Sequence, residues 1–242
     1  NWATIYKKYG VDSAGFELLE QSKERVFMYK KANVSTRYSP ASTFKIFLSL
    51  VALHTGVAPN EDMIIKWDGV KRKEKWDKDM NLREAFTSSS EPYYKELAKR
   101  IGQPELQKWL DSTRYGNKKI GPVLEKCWTD GSLQITPDEQ VGFMKKLYFD
   151  ELPFDKRSQR LVRSMMLRET QPKYKMYYKT GTEVPATGYN LWLVGFVEDS
   201  MNHPYFFANH IYWPDTTADF AVIDSVRVNS TKDIFKEMGV IK

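Results

Sequence analysis

Ser42-Thr43-Phe44-Lys45 places a hydroxyl and an amine three residues apart. If the stretch is helical, both side chains share one face. A serine at a helix start has unpaired backbone amides beside it, where the helix dipole is positive. Those amides suit a developing oxyanion, and the lysine could take the serine's proton. For that, Lys45 must be neutral or chemically altered, against an ordinary pKa of about 10.4. A plainer arrangement also fits: Ser42 caps the helix and Lys45 reaches to water. Taken alone, the four residues favour the plainer arrangement, because such a spacing arises by chance in many chains of this size.

Three further groups follow in order. Ser89-Ser90-Glu91 precedes Pro92, Tyr115-Gly116-Asn117 sits in a polar turn, and Lys179-Thr180-Gly181-Thr182 ends a strand-like run. Each by itself reads as a cap, a turn or a strand end. Competing chemistry is sparse. The single Cys127 excludes an internal disulfide and a multi-cysteine zinc site. His54, His203 and His210 are scattered, and the last two fall on opposite faces of a regular strand over 203–213. A histidine metal site or a Ser-His-Asp triad is disfavoured, so any hydrolytic base has to be sought elsewhere. The net charge is +6, with its densest basic segment at KRKEKWDK, 71–78, near Trp67 and Trp76. Glu74, Asp77 and Asp79 interleave with those lysines, which describes a solvated mixed-sign face rather than a nucleic-acid surface. A basic protein can still attract small anions. The longest apolar run, Phe44 to Leu53, contains Lys45 and is too short to span a bilayer.

The elements that would hold these groups can be read from periodicity. At 242 residues, 41% hydrophobic and 14% aromatic, the chain can bury a sizeable core in one large domain or two intimately packed ones. Residues 14–31 predict a β-hairpin around the turn QSKE. Phe44, Phe47, Leu48, Val51 and Ala52 repeat at helical spacing within a helix over 42–55 that Gly56 can end. Pro92 and Pro104 start two more helices, toward Gly102 and through Leu110. Thr136-Pro137-Asp138-Glu139 is a capping-box helix start, and 155–168 reads as helix. YKMYYKTGT, YNLWLVGFVE and PYFFANHIYW read as strands, and a last helix covers about 231–238. Strands at both ends with helices between predict an α/β fold of the α+β type: a sheet built from 1–33 and 174–242 with a mainly helical region, 34–173, packed on it.

The order S-x-x-K, second serine, Y-G-N, K-T-G resembles that of serine β-lactamases and penicillin-binding proteins. The chain is identified as a member of the class D β-lactamases, the oxacillinases. Lys66-Trp67-Asp68-Gly69, Cys127-Trp128-Thr129-Asp130-Gly131 and Trp192-Leu193-Val194-Gly195 resemble family segments in the family's order and extend the likeness over nearly the whole chain. The resemblance implies a β-lactamase/transpeptidase-like fold, an antiparallel sheet with flanking helices, and hydrolysis of β-lactam antibiotics through a serine acyl-enzyme. It implies Ser42 as nucleophile and Lys45 as general base after carboxylation by carbon dioxide, with Trp128 donating to the carbamate. No other cofactor and no metal are implied. Ser89 matches the serine that relays a proton to the lactam nitrogen. Lys179, Thr180, Gly181 and Thr182 match the opposite wall, with the Ser42 and Thr182 amides as oxyanion hole. Arg227 aligns with the arginine that takes the substrate carboxylate. Tyr115, Gly116 and Asn117 are supporting architecture, and Trp67, Trp192 and Trp213 are packing residues. The only partner implied is the β-lactam, with no nucleic acid and no membrane contact. The expected location is periplasmic or secreted, any signal peptide having been removed.

One residue departs from the pattern. The family's second motif is serine, any residue, valine; here Glu91 stands at the valine position. Opposite charges about 4 Å apart at an effective dielectric near 20 attract by roughly 4 kcal/mol, about three pKa units. Glu91 against Lys45 would hold it as ammonium, which cannot take up carbon dioxide. Three arrangements stand: Glu91 turns to solvent and turnover is normal, Glu91 pairs with Lys45 and deacylation stalls, or Glu91 itself acts as base. The second would make the chain a β-lactam sensor or penicillin-binding domain. A peptidoglycan transpeptidase is disfavoured by the short chain. Substrate preference is expected to depend on loops around 183–190 and 213–220.

Overall fold

The computed structural model describes residues 1–185, 187–215, 217 and 219–241; Ala186, Thr216, Ala218 and Lys242 lie outside them. The chain opens on α1 (Trp2–Lys8) and the hairpin β1 (Ser13–Glu20) and β2 (Arg25–Tyr29). After α2 (Lys31–Val34) and α3 (Lys45–His54), the short strands β3 (Ile64–Ile65) and β4 (Met80–Asn81) pair with each other. Helices α4 (Leu82–Ser88), α5 (Glu91–Ile101), α6 (Gln103–Thr113), α7 (Pro137–Tyr148) and α8 (Lys156–Met166) follow. The chain then returns through β5 (Leu167–Gln171), β6 (Tyr174–Glu183), β7 (Tyr189–Asp199) and β8 (Pro204–Trp213) to α9 (Phe220–Glu237).

The main sheet is antiparallel throughout, in the order β2-β1-β8-β7-β6-β5. Pairing of β1 with β8 joins the N-terminal hairpin to the C-terminal strands, so the sheet is built from both ends of the chain. One face carries α1 and α9 over a core of Tyr6, Phe16, Leu193, Phe207, Ile234 and Phe235. The other faces the helical region, with α3 at its centre. Every residue of α3 from Lys45 to Leu53 is buried, which marks a helix packed on all sides rather than a surface helix. Its aromatic anchors Phe44 and Phe47 stack at 5.2 Å and meet Tyr115 and Trp128.

Several boundaries differ from the sequence expectations. The hairpin, α5 and the α7 capping box stand as expected, and α6 runs on to Thr113. Helix 155–168 stops at Met166, because Leu167 turns extended and pairs with Tyr177 of β6. The last helix starts at Phe220, capped by Asp219, not at 231. Its first half carries Val222, Val226 and Val228, β-branched residues that lower helix propensity and blur the helical signal. Helix α4 lies beyond the sequence expectations, although Asn81 and Glu84 form a full capping box.

Helix α7 ties the sheet to the turn before α3. It packs on β1 and β8, and its Gln140 Nε2 donates to Thr43 Oγ1 at 2.9 Å. At its first turn, Asp138 lies beside the buried Glu17 of β1. Burial first, and the Asp138 charge second, push the Glu17 carboxyl up to about 8. Glu139, Arg114 and Lys146 are the other charged groups around the adjoining cavity of about 350 Å³. A carboxyl raised on folding stabilises most below its unfolded pKa near 4.5 and loses that contribution as pH rises through 8. Glu17→Gln should therefore gain melting temperature relative to the parent between about pH 5 and about pH 9, by several degrees at about 2–4 °C per kcal/mol. Parallel pH–stability curves for the two proteins would contradict this assignment.

Candidate active site

Ser42 sits in a 3-10 turn, Ala41–Phe44, that leads directly into α3. It is partly exposed, whereas its neighbours Ala41, Thr43, Phe44 and Lys45 are buried. It caps nothing, so the plainer arrangement fails for this residue. The turn is pinned from three sides. Ala41 N donates to Trp128 O at 2.8 Å, Trp192 Nε1 donates to Ser39 O at 2.9 Å, and Tyr38 pairs with Ile135 through both backbone groups. Ala41 has φ 49°, a left-handed conformation unusual for alanine. Such strain persists only where the surroundings over-determine it, as those three anchors do here.

Lys45 does not reach water. It is fully buried, and its Nζ lies 3.0 Å from Ser42 Oγ, 2.7 Å from Ser89 O and 3.1 Å from Ser89 Oγ. The Tyr94 ring centroid is 5.4 Å from the same nitrogen. No ion-pair partner for it occurs among the described residues. Burial is the main influence and lowers the amine from 10.5 to about 7; the nearest opposing influence is the more distant Glu91 charge. At neutral pH a large share of Lys45 is thus the free amine.

Ser89 comes to this amine through its own strained backbone. It ends α4 in the left-handed region at φ 56°, and Ser90 then caps α5. Lys179 Nζ, on β6, donates to the same Ser89 Oγ at 3.0 Å. Two lysine amines therefore converge on one hydroxyl. A hydroxyl has two acceptor lone pairs and one proton; with both lone pairs engaged by amines, its proton remains available to a third partner. Lys179 is buried, and burial, with the Lys45 charge next in size, holds its amine well below the ordinary lysine value.

Strand β6 forms the facing wall. Gly181 is needed where it crosses the Ser42 turn: a Cβ there would lie 3.0 Å from Pro40 O and from Thr43 Cγ2, and 3.2 Å from Trp192 Cβ. Thr182 follows, and its Oγ1 accepts from Arg227 Nη1 at 3.0 Å. The expected site residues Ser42, Lys45, Ser89, Lys179, Gly181, Thr182 and Arg227 thus converge, with Thr180 between Lys179 and Gly181 on the same strand. The Trp128 ring packs 5.8 Å from Phe44, one residue before Lys45.

A family model described as the penicillin binding protein transpeptidase domain matches residues 12–236. The chain is 36% identical over 239 residues to beta-lactamase OXA-48 of Klebsiella pneumoniae, covering 98% of this chain and 86% of that protein. It is 35% identical over 227 residues to the probable beta-lactamase YbxI of Bacillus subtilis, covering 93% and 81%. The solved class D beta-lactamase of Sebaldella termitidis superposes with a TM-score of 0.95 at 30% identity, covering 100% of this chain and 97% of that one. The chain belongs to the class D serine β-lactamases. Its reaction is the hydrolysis of β-lactams.

For a class D β-lactamase, the position of Glu91 matters most. Its carboxylate does not contact Lys45. It is about half exposed and pairs with Lys95 one helical turn along α5, at 3.5 Å. The attraction expected for charges about 4 Å apart is therefore not in play at contact, and solvent screens what remains. Tyr115, Gly116 and Asn117 support the site from below: Tyr115 packs on Phe44 and Phe47, and Asn117 Nδ2 donates to Ser132 O at 2.7 Å. Of the tryptophans expected to pack, Trp192 is fully buried, while Trp67 is 36% exposed on the lysine-rich side. In the rim loops, Ala186, Thr216 and Ala218 lie outside the described residues, so the expected role of those loops in substrate preference is untouched.

Sequence reasoning missed the groups that hold the site in place. Thr43 and Gln140 fix the turn, Tyr94 faces Lys45, and Phe86 lies 5.7 Å under the Lys179 amine. Such contacts join residues far apart in the chain and leave no local pattern. The tight approach at Gly181 gives a direct test. Gly181→Ala should lower kcat/KM for a penicillin by roughly 100-fold, the scale of a misplaced reacting group. Parent-like kinetics would show that β6 does not set the position of Ser42.

Proposed function

We propose that Ser42 is the acylating nucleophile of this β-lactamase and that Lys45 is the group that takes its proton. The observation that carries this reading is a fully buried lysine amine, lowered to about 7, at 3.0 Å from the Ser42 hydroxyl. Ser42 Oγ attacks the lactam carbonyl carbon while its proton passes to Lys45 Nζ. The Ser42 and Thr182 backbone amides are the oxyanion donors. As the C–N bond breaks, the Ser89 hydroxyl, held by both lysines, gives its proton to the ring nitrogen and is resupplied through the lysine amines. Arg227 binds the substrate carboxylate through its planar fork.

The surroundings of Lys45 suit carboxylation by carbon dioxide: a desolvated amine with a lowered pKa is the form that adds carbon dioxide, and its contacts are hydroxyls and a carbonyl rather than a carboxylate. Bound there, the carbamate would supply a carboxylate-type base both for the Ser42 proton and for the water that releases the acyl group. Trp128, whose ring lies 5.8 Å from that of Phe44, would be the donor to it. Glu91, turned toward Lys95, leaves room for this chemistry and only weakly favours the ammonium. A periplasmic or secreted location accords with a β-lactam substrate.

Intact mass after mixing with a penicillin tests the reading. A transient single adduct should form and disappear as product accumulates, decay should quicken with added bicarbonate, and Ser42→Ala should form none. A stable one-to-one adduct would contradict turnover and mark a sensor. Because the Glu91 charge holds protons on Lys45, Glu91→Gln should reach half-maximal bicarbonate activation at roughly two- to threefold lower bicarbonate, a small effect because the carboxylate is half exposed. An unchanged requirement would remove Glu91 from any role at Lys45.

A further inference from the structure

Arg227 is already engaged in the free protein. Its guanidinium is only 3% exposed. One terminal nitrogen donates to Gly181 O and Thr182 Oγ1. The other donates to the carboxylate of Asp224, one turn earlier on α9. The Nε–H, on the edge that flanks this second nitrogen, is buried and has no partner. Asp224 itself is 42% exposed, against 3% for the Arg227 side chain it pairs with.

This is an incomplete carboxylate pair. A planar guanidinium offers two parallel N–H groups along one edge, and a carboxylate that uses both gains most. Asp224, tied to the same helix, uses one and leaves the other unsatisfied. An unpaired buried donor costs free energy that a better-placed carboxylate recovers.

We propose that Asp224 holds the substrate-carboxylate position at Arg227 in the free enzyme and sets affinity for β-lactams by competing for that guanidinium. The proposal rests on the reading of Arg227 as the substrate-carboxylate site. On binding, the β-lactam carboxylate takes the Nη2–Nε edge and the Asp224 side chain moves to solvent, which its exposure permits. Asp224 is thus a specificity-determining residue that acts through Arg227 and touches none of the reacting atoms. It favours substrates whose carboxylate can use both prongs over those that reach only one.

Steady-state kinetics with a penicillin and with its methyl ester test this. Relief of an ion pair whose carboxylate is 42% exposed is worth up to about 1 kcal/mol, so Asp224→Asn should raise kcat/KM for the acid roughly three- to fivefold and leave the ester unchanged. The equilibrium Kd of the acid for a Ser42→Ala background should tighten by the same factor. Thermal melting of each variant shows that it is folded, and Asp224→Ser provides a second, smaller replacement. A purely structural role would lower stability and affect acid and ester alike. If Arg227→Ala weakens handling of the acid but Asp224→Asn does not improve it, the competition is overturned while the Arg227 reading stands. If Arg227→Ala leaves acid and ester equally unaffected, the Arg227 reading falls and the proposal falls with it.

Discussion

The structure depends on keeping one lysine amine dry and without a counter-charge. Lys45 enters α3 at its first residue and is buried by the packing that makes α3 a central helix. Moving its pKa from 10.5 to about 7 corresponds to on the order of 5 kcal/mol of lost charge stabilisation, a large share of a typical domain's net stability. The surrounding core offsets that cost. Phe44, Phe47, Tyr94, Tyr115 and Trp128 exclude water around the first turn of α3, and the amine is left only hydroxyl and carbonyl partners from Ser42 and Ser89. A carboxylate in contact would have been the easy way to satisfy it. The fold instead turns Glu91, the nearest acidic side chain in sequence to Ser89, outward to Lys95.

Two backbone devices follow from that constraint. Ser89 and Ala41 both occupy the left-handed region without being glycine. The first delivers a hydroxyl and a carbonyl to Lys45 from the end of α4. The second brings Ser42 out of a 3-10 turn with its hydroxyl uncapped. Each is fixed by hydrogen bonds from separate parts of the fold: Trp76 Nε1 caps Ser88 O, Trp128 O holds Ala41 N, and Gln140 holds Thr43. The sheet completes the cleft by bringing Lys179 to the same hydroxyl and Gly181 against the turn. Arg227 of α9 donates to the Gly181 carbonyl, so one residue meets both the Ser42 turn and the guanidinium.

Much of this is legible in the sequence where the signal is local. The capping box at Thr136, Pro92 at a helix start, and three long apolar strands place α7, α5 and β6–β8 near their observed bounds. S-x-x-K, the second serine and K-T-G name the cleft residues because their order resembles a family, not because any one of them is distinctive. What failed was local signal overridden by tertiary context. Valines hid the first half of α9, and the strand that follows α8 was absorbed into the helix. The direction of Glu91 depends on Lys95 and the start of α5, and the pairing of Arg227 with Asp224 depends on a helix that begins eleven residues before its sequence signal. Both are set by tertiary packing and leave no local pattern.

The central claim is that Lys45 is a largely neutral amine near pH 7 in the folded enzyme. Its titration can be followed directly by NMR on protein labelled with 13C at lysine Cε, in buffer stripped of carbon dioxide, with the resonance assigned through Lys45→Arg. The account predicts a midpoint near 7, well below the ordinary lysine value of about 10.4. A midpoint at or above the ordinary lysine value would mean that the site holds an ammonium, and that Lys45 cannot take the proton of Ser42.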